Sequence, residues 1–148
     1  MTERMLTLSK LNRATLARQW LLERKSQPVL EALRHLVALQ AQLPNPPYIG
    51  LWTRLHSFER SELTGLMENK KVVRATMMRA TLQLMAAEDY MLLRPALQPA
   101  LTRSLQAFFG KQVKELNIEQ FVEAARRYVQ EQPRTFAEMP GLRHFSPT

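Results

Sequence analysis

The chain has 148 residues, of which 45% are hydrophobic and 23% charged, so it is long enough for a buried core and too apolar for a disordered protein. Its 21 Lys and Arg against 13 Asp and Glu give a net charge of +8, which favours nucleic acid first and an anionic membrane second as partners. The lack of cysteine excludes disulfides and zinc–thiolate sites and fits the cytoplasm, and no apolar run has the length of a membrane span.

Two helices are predicted at the start of the chain. Ser9 is the predicted N-cap of the first, and Pro28 suits the first position of the second. Apolar residues of the second helix recur at helical spacing from Val29 to Leu36, and Gln40 continues the same stripe.

After the proline-rich segment 44–47, the spacing of apolar residues is first helical and then, from residue 72, alternating. Apolar residues at helical spacing predict a third helix around residues 51–58, and Ser61 is the predicted cap of a fourth. Residues 72–78 and 81–85 are rich in β-branched residues and roughly alternating, which predicts a two-stranded hairpin. Helices followed by a hairpin are the outline of a winged helix, a helix-turn-helix relative.

The second half of the chain is predicted to be helical. A helix begins near Ala87 and is expected to break near Pro95, and Asn117 is the predicted cap of a later helix. Thr135 and Glu138 have the spacing of a capping box.

The fold class expected from these elements is mainly α with a small β-hairpin. Residues 1–95 form the predicted winged-helix domain. Residues 96–148 are expected to contain a linker helix and the start of a second, truncated winged helix.

Gln40 and Gln42 are the first candidates for chemistry. A polar amide on an apolar stripe costs free energy unless its hydrogen-bonding groups are satisfied. If residues 40–42 are extended, both amides face the same side and could share a cavity. The alternative is that Gln40 caps the last helical turn and Gln42 is merely exposed to solvent.

Tyr48 and Trp52 follow three prolines that stiffen the loop before them. A rigid loop with aromatic walls could receive a flipped base, which makes these two residues candidates for a base pocket. The alternative is a connector between helices with two aromatic residues in the core.

Basic residues cluster around the predicted hairpin. Lys70, Lys71, Arg74 and Arg79 could contact phosphates, and with Arg54 they are the predicted DNA-binding residues. The alternative is a charged edge that discourages unwanted strand pairing. The three histidines are scattered without metal-ligand spacing, so no metal site is predicted.

Four ordered blocks of sequence resemble the AlkZ-like winged-helix DNA glycosylases. These blocks are LNRATLARQ at residues 11–19, LQAQLP at 39–44, PYIGLWTRL at 47–55 and VRATMMRATL at 73–82. The similarity continues through EDY at 88–90 and RPAL at 94–97 and fades after Glu138.

The resemblance implies an enzyme that excises N7-alkylated purines, including interstrand crosslinks, from double-stranded DNA by hydrolysing the N-glycosidic bond. The family's glutamine–apolar–glutamine motif matches Gln40-Ala41-Gln42, which implies that Gln40 and Gln42 are catalytic. The alkylated base is already cationic, so the reaction needs no metal or organic cofactor.

Three departures from the family pattern are visible. Many relatives have glycine at the position of Ala80 and histidine at that of Gln83, and complete members are more than twice as long. The short chain is therefore expected to bind DNA weakly on its own, and the missing later domains make an inactive chain an alternative to the activity that the motif implies. A non-enzymatic DNA-binding regulator and a helical interaction module are the two alternatives, and the oligomeric state is left open.

Overall fold

Helices dominate the chain, and three short strands form one antiparallel sheet. The structure is a computed structural model that describes residues 6–113, 117–135 and 138. Two compact units divide the chain, Met1–Thr102 and Arg103–Thr148. The predicted mainly α composition with a small sheet is confirmed.

Helix α1 (Leu8–Arg18) begins two residues earlier than predicted. The Thr7 hydroxyl accepts a hydrogen bond from the Lys10 N–H at 3.3 Å, so the N-cap is Thr7, and the prediction of Ser9 was wrong. The helix ends in a Schellman motif, in which Leu21 N–H donates to Leu16 and Trp20, at φ 53°, donates to Ala17.

Helix α2 (Val29–Leu36) is shorter than its apolar stripe predicts. Val37 lies at φ 67° and ψ −52°, a conformation that no helical residue adopts, and it ends the helix. The following residues, Leu39–Gln40, form strand β1. The prediction that Gln40 continues the helix was therefore wrong, because pairing with a distant strand overrides the local pattern.

Helix α3 (Pro46–Trp52) begins within the proline-rich segment, so the helix predicted around residues 51–58 was wrong in its bounds, and helix α4 (Arg60–Glu68) comes after it. Prolines occupy the first positions of α3, where their missing N–H costs nothing. The cap of α4 is Glu59, whose N–H donates to the Glu62 carboxylate at 2.9 Å, so the predicted Ser61 cap was also wrong.

Strands β2 (Val72–Thr76) and β3 (Leu82–Ala86) form the predicted hairpin, joined by one turn of 3₁₀ helix at Met78–Ala80. Strand β1 adds to the other side of β3, which gives the order β1-β3-β2. Gln40 is opposite Gln83, and Arg74 is opposite Leu84. The sheet thus has one strand more than the sequence predicted.

The core lies between α2, α3, α4 and one face of the sheet. Nine buried side chains form it: Val29, Ala32, Leu33, Ala41, Leu51, Leu55, Leu63, Val72 and Leu84. Complete burial of one such large aliphatic side chain stabilises the fold by about 1.5–3 kcal/mol. Because Ala41 belongs to this core, the residues on either side of it in the extended segment are directed away from the core.

Helix α5 (Ala87–Val113) starts directly after β3 and continues through Pro95 and Pro99. The predicted break near Pro95 was wrong. Each proline removes one N–H from the helix, and the freed carbonyl at residue 91 belongs to a highly exposed residue, Met91, where water can replace the missing donor.

Helix α6 (Ile118–Glu131) begins, as predicted, at Asn117, whose side chain accepts from the Gln120 N–H. Beyond it, the Thr135 N–H donates to the Glu138 carboxylate at 2.6 Å, as in a capping box. The remainder of the predicted second winged helix lies outside the described residues, and the boundary predicted at residue 95 stays a prediction.

Candidate functional site

Gln40 lies on β1 with its side chain exposed, and no hydrogen-bond partner for its amide is found among the described residues. Directly opposite on β3 is Gln83, which is only 9% exposed and donates through Nε2 to the Thr81 hydroxyl at 2.7 Å. Side chains directly opposite in an antiparallel pair lie on the same face of the sheet. Two glutamine amides therefore share one face of the sheet, one free and one nearly buried.

Gln42 lies just past β1 and uses its side chain to extend the sheet. Its Oε1 accepts a hydrogen bond from the Leu82 N–H at 2.7 Å, while Ala41 N–H donates to the Leu82 carbonyl at 2.8 Å. A backbone N–H can donate only to the oxygen of a side-chain amide, because the amide nitrogen is itself a donor. This bond therefore fixes which way the Gln42 amide is turned. The Nε2 group has no partner among the described residues, and the oxygen keeps one of its two acceptor sites.

Arg74 contacts the same segment from β2. Its Nε donates to the Ala41 carbonyl at 2.7 Å, and its Nη2 donates to the Gln42 carbonyl at 3.0 Å. Both acceptors are main-chain carbonyls that lie just beyond the short strand β1, where the backbone pairing of the sheet no longer supplies a donor. The predicted DNA-binding residue is thus bonded to the backbone of the glutamine motif.

Tyr48 and Trp52 lie one turn apart on α3 and contribute to one shallow cavity of about 220 Å³. Ile49, Phe58 and Arg60 complete its walls. Trp52 is 55% exposed, so it is not a core residue. The structure brings the two predicted base-pocket residues together, and neither glutamine of the motif lines this cavity.

Two guanidinium groups stack on the aromatic rings. Arg24 lies over the Trp52 ring and Arg60 over the Tyr48 ring, each 4.3 Å from the ring centroid. The Tyr48 hydroxyl is also 3.1 Å from the Thr64 hydroxyl. A cation over a ring face is attracted by the ring quadrupole, so these contacts hold the rings in place.

A second cavity of about 160 Å³ lies on the inner side of the glutamine motif. Of its eight lining residues, Tyr48 and Arg74 carry polar side-chain groups; the others are Ala41, Pro44, Pro47, Leu63, Met67 and Leu84. Tyr48 lines both cavities. Gln40 and Gln42 line neither of them and are exposed on the outer side.

The predicted basic cluster is divided between the two ends of the hairpin. Lys70 and Lys71 precede β2, whereas Arg79 lies in the turn beyond it, next to the end of the sheet that holds the glutamine motif. A strand rises about 3.3 Å per residue, so the five residues of β2 separate the groups by roughly 17 Å. All three side chains are exposed and have no acidic partner among the residues that the structure describes.

Arg54, the remaining predicted DNA-binding residue, ties two segments of the first unit together. Its Nε donates to the Gln19 carbonyl at 2.8 Å, and its Nη1 donates to the Gly50 carbonyl at 2.7 Å. Partial burial lowers the pKa of the Arg54 guanidinium from its usual value.

Sequence reasoning missed three residues of this region as site candidates. Gln83 carries a visible signal, since it is a polar residue within the apolar strand Leu82–Ala86. Arg24 and Arg60 carry none, because they are distant in sequence from the rings on which they stack.

No group of three or more His, Asp or Glu residues is arranged to hold a metal ion in the described part of the chain. Within the same residues, no helix combines the length and the hydropathy needed to cross a membrane.

Comparison with known proteins adds a family to this geometry. The family model described as DNA glycosylase AlkZ-like matches residues 33–143. The chain belongs to the AlkZ-like DNA glycosylase family. The matched segment contains the glutamine motif, the aromatic residues Tyr48 and Trp52 and the hairpin. The block at residues 11–19 lies outside it.

Membership in the AlkZ-like family relates the chain to DNA repair glycosylases and implies DNA as its partner. No curated protein and no solved structure matches the chain significantly.

Proposed function

We propose that this AlkZ-like chain hydrolyses the N-glycosidic bond of N7-alkylated purines, including crosslinked ones, in double-stranded DNA. The observation that carries the proposal is the family match across Gln40-Ala41-Gln42, together with the exposed and unbonded Gln40 amide. DNA glycosylases act on a base taken out of the helical stack, so the reacting groups must be open to a macromolecule. Both glutamines of the motif satisfy this condition.

A winged-helix arrangement is the architecture that we infer for the first unit. It is supported by the order of elements: α2, β1, α3 and α4 precede the hairpin, and all three strands pair in one sheet. In this interpretation α3 and α4 form the helix-turn-helix, and the turn at Met78–Ala80 is the tip of the wing.

The two glutamines would play different roles in the reaction. The C1′–N9 bond breaks with its electron pair passing to the cationic purine, and a water oxygen forms the new bond to C1′ while losing a proton to solvent. Gln40, whose oxygen is free, can accept a hydrogen bond from that water and orient it. Gln42, whose oxygen is held by Leu82, is assigned the role of donor through the N–H groups of its Nε2.

DNA contact is assigned to the exposed cations at the two ends of the hairpin. Lys70 and Lys71 would contact one part of the backbone and Arg79 another, close to the reacting nucleotide. Each phosphate contact steepens the dependence of log K on log salt by about 0.9. Replacing Lys70 and Lys71 together by alanine should therefore reduce this slope by roughly 2, as measured by duplex binding between low and moderate salt.

The decisive experiment measures release of 7-methylguanine from methylated duplex DNA. Gln40→Ala should slow single-turnover release roughly a hundredfold, the cost of losing one positioned hydrogen bond at a reacting centre. Gln42→Glu keeps an oxygen for Leu82 but removes the Nε2 donors, so it should also slow release. Gln27→Ala, at an exposed loop glutamine, is the matched control and should leave the rate unchanged. No release by the unmodified chain at high concentration refutes the proposal.

A non-enzymatic DNA-binding protein is the second candidate. It is favoured by the Gln42 side chain, whose oxygen serves the sheet and is therefore accounted for without any chemistry. This candidate predicts duplex binding that depends on salt and on Lys70 and Lys71 but is unaffected by Gln40→Ala. Binding without release would decide in its favour.

A further inference from the structure

Arg74 makes contacts that a phosphate-binding residue does not need. The sheet order is β1-β3-β2, so Arg74 on β2 and the motif next to β1 lie on opposite sides of the central strand. Neighbouring strands are about 4.8 Å apart, and the side chain therefore crosses roughly 10 Å of sheet to reach the Ala41 and Gln42 carbonyls. Nε and Nη2 are both used there, at 2.7 and 3.0 Å.

The same segment is held from β3 as well. Leu82 N–H donates to the Gln42 side chain, and the Leu82 carbonyl accepts from Ala41. Two strands thus fix residues 41 and 42, Arg74 through their main-chain oxygens and Leu82 through the amide oxygen of Gln42. Strand β1 has only two residues and ends before this segment, so these side-chain bonds add to a short sheet ladder.

We propose that Arg74 is a positioning residue for the glutamine motif and not a DNA phosphate contact. This inference rests on the proposed function. Arg74 sets the main-chain direction at Gln42, so that the Gln42 oxygen meets Leu82 and its Nε2 group is turned toward the solvent side where the substrate binds. The planar guanidinium supplies two donors in a fixed geometry, which a lysine ammonium cannot reproduce.

The test is Arg74→Lys, which keeps the charge and removes the planar pair of donors. Single-turnover release of 7-methylguanine at saturating protein should fall at least tenfold, while the duplex Kd stays within about twofold and its salt dependence is unchanged. Arg13→Lys, the same change at an exposed arginine of α1, should leave the rate unchanged.

A second readout separates this inference from the proposed function. In Arg74→Lys, hydrogen exchange at the Leu82 amide should accelerate at least tenfold, without a matching shift of the urea midpoint of the whole unit. If the unmodified chain releases no base, the proposed function fails and the exchange measurement alone decides the role of Arg74. Normal release or unchanged Leu82 exchange in Arg74→Lys would overturn the inference. So would weaker DNA binding with a normal rate at saturation, which is the behaviour of a phosphate contact.

Discussion

Ala80→Gly should stabilise the protein, which is unusual for a change that removes a methyl group. Ala80 lies in the hairpin turn at φ 54°, in the left-handed region. An L-residue other than glycine loses roughly 1–2 kcal/mol there through the close approach of Cβ to the following carbonyl oxygen. The family resemblance implies glycine at this position in many relatives, and the backbone angle gives a physical reason for that preference.

The net effect is the difference between three contributions. Relief of the left-handed strain gains about 1.5 kcal/mol, while the greater freedom of glycine in the unfolded chain costs about 0.7 kcal/mol. Ala80 is half-buried, so its methyl group contributes about a further 0.3 kcal/mol that is lost. The expected gain is therefore about 0.5 kcal/mol, or roughly 2–4 °C in the unfolding midpoint of a unit of this size.

Urea unfolding followed by tryptophan fluorescence suits this measurement, because both tryptophans, Trp20 and Trp52, belong to the first unit. Ala75→Gly is the matched control, since Ala75 is also half-buried but lies on β2 outside the positive-φ residues. It should destabilise the unit by about 1 kcal/mol, from chain entropy and the lost methyl contact. Equal destabilisation by both substitutions would refute the strain argument.

Three further substitutions test the packing and the hydrogen bonds. Leu33→Ala should cost about 2–5 kcal/mol in urea unfolding because this side chain is fully buried, and a loss below about 1 kcal/mol would contradict its core position. Gln42→Ala should lower the free energy of unfolding by about 1 kcal/mol, because the Leu82 N–H loses its acceptor, whereas Gln42→Glu should lower it less. Equal losses in the two variants would mean that this hydrogen bond is not formed. Arg54→Ala should destabilise the unit by about 1–3 kcal/mol, since the Gln19 carbonyl loses its donor and the Gly50 carbonyl keeps only the Thr53 hydroxyl; weaker DNA binding without destabilisation would contradict this role.

Local pattern predicted the elements whose stability is decided within the segment itself. The hairpin strands, helix α6 with its Asn117 cap and the mainly helical composition all follow from spacing and from capping residues. These features depend on neighbours within a few positions, which a single sequence displays directly.

The errors occurred where distant residues decide the outcome. Gln40 fits a helical stripe, but Val37 ends the helix and Gln40 pairs with Gln83 on a strand 43 positions away. The contacts of Arg74 and Arg54 within the protein could not be predicted locally either, because their carbonyl partners are remote in sequence; the DNA-binding roles of both residues stay predictions. The resemblance to the family did not depend on these contacts. It singled out the glutamine motif from blocks of sequence, although the local pattern had not predicted that Gln40 lies on a strand.

Two cations of the hairpin region occupy backbone positions that suit glycine better. Lys70 follows α4 at φ 57° and completes its Schellman motif, donating to Met67, and Arg79 lies at φ 57° in the turn. At both positions the residue that the backbone prefers is uncharged. Selection for thermal stability would therefore replace these residues by glycine and lower the net charge from +8 to +6. Heat resistance and attraction to a polyanion thus oppose each other at the same two residues, and a stabilised variant of this protein is expected to bind DNA less tightly at physiological salt.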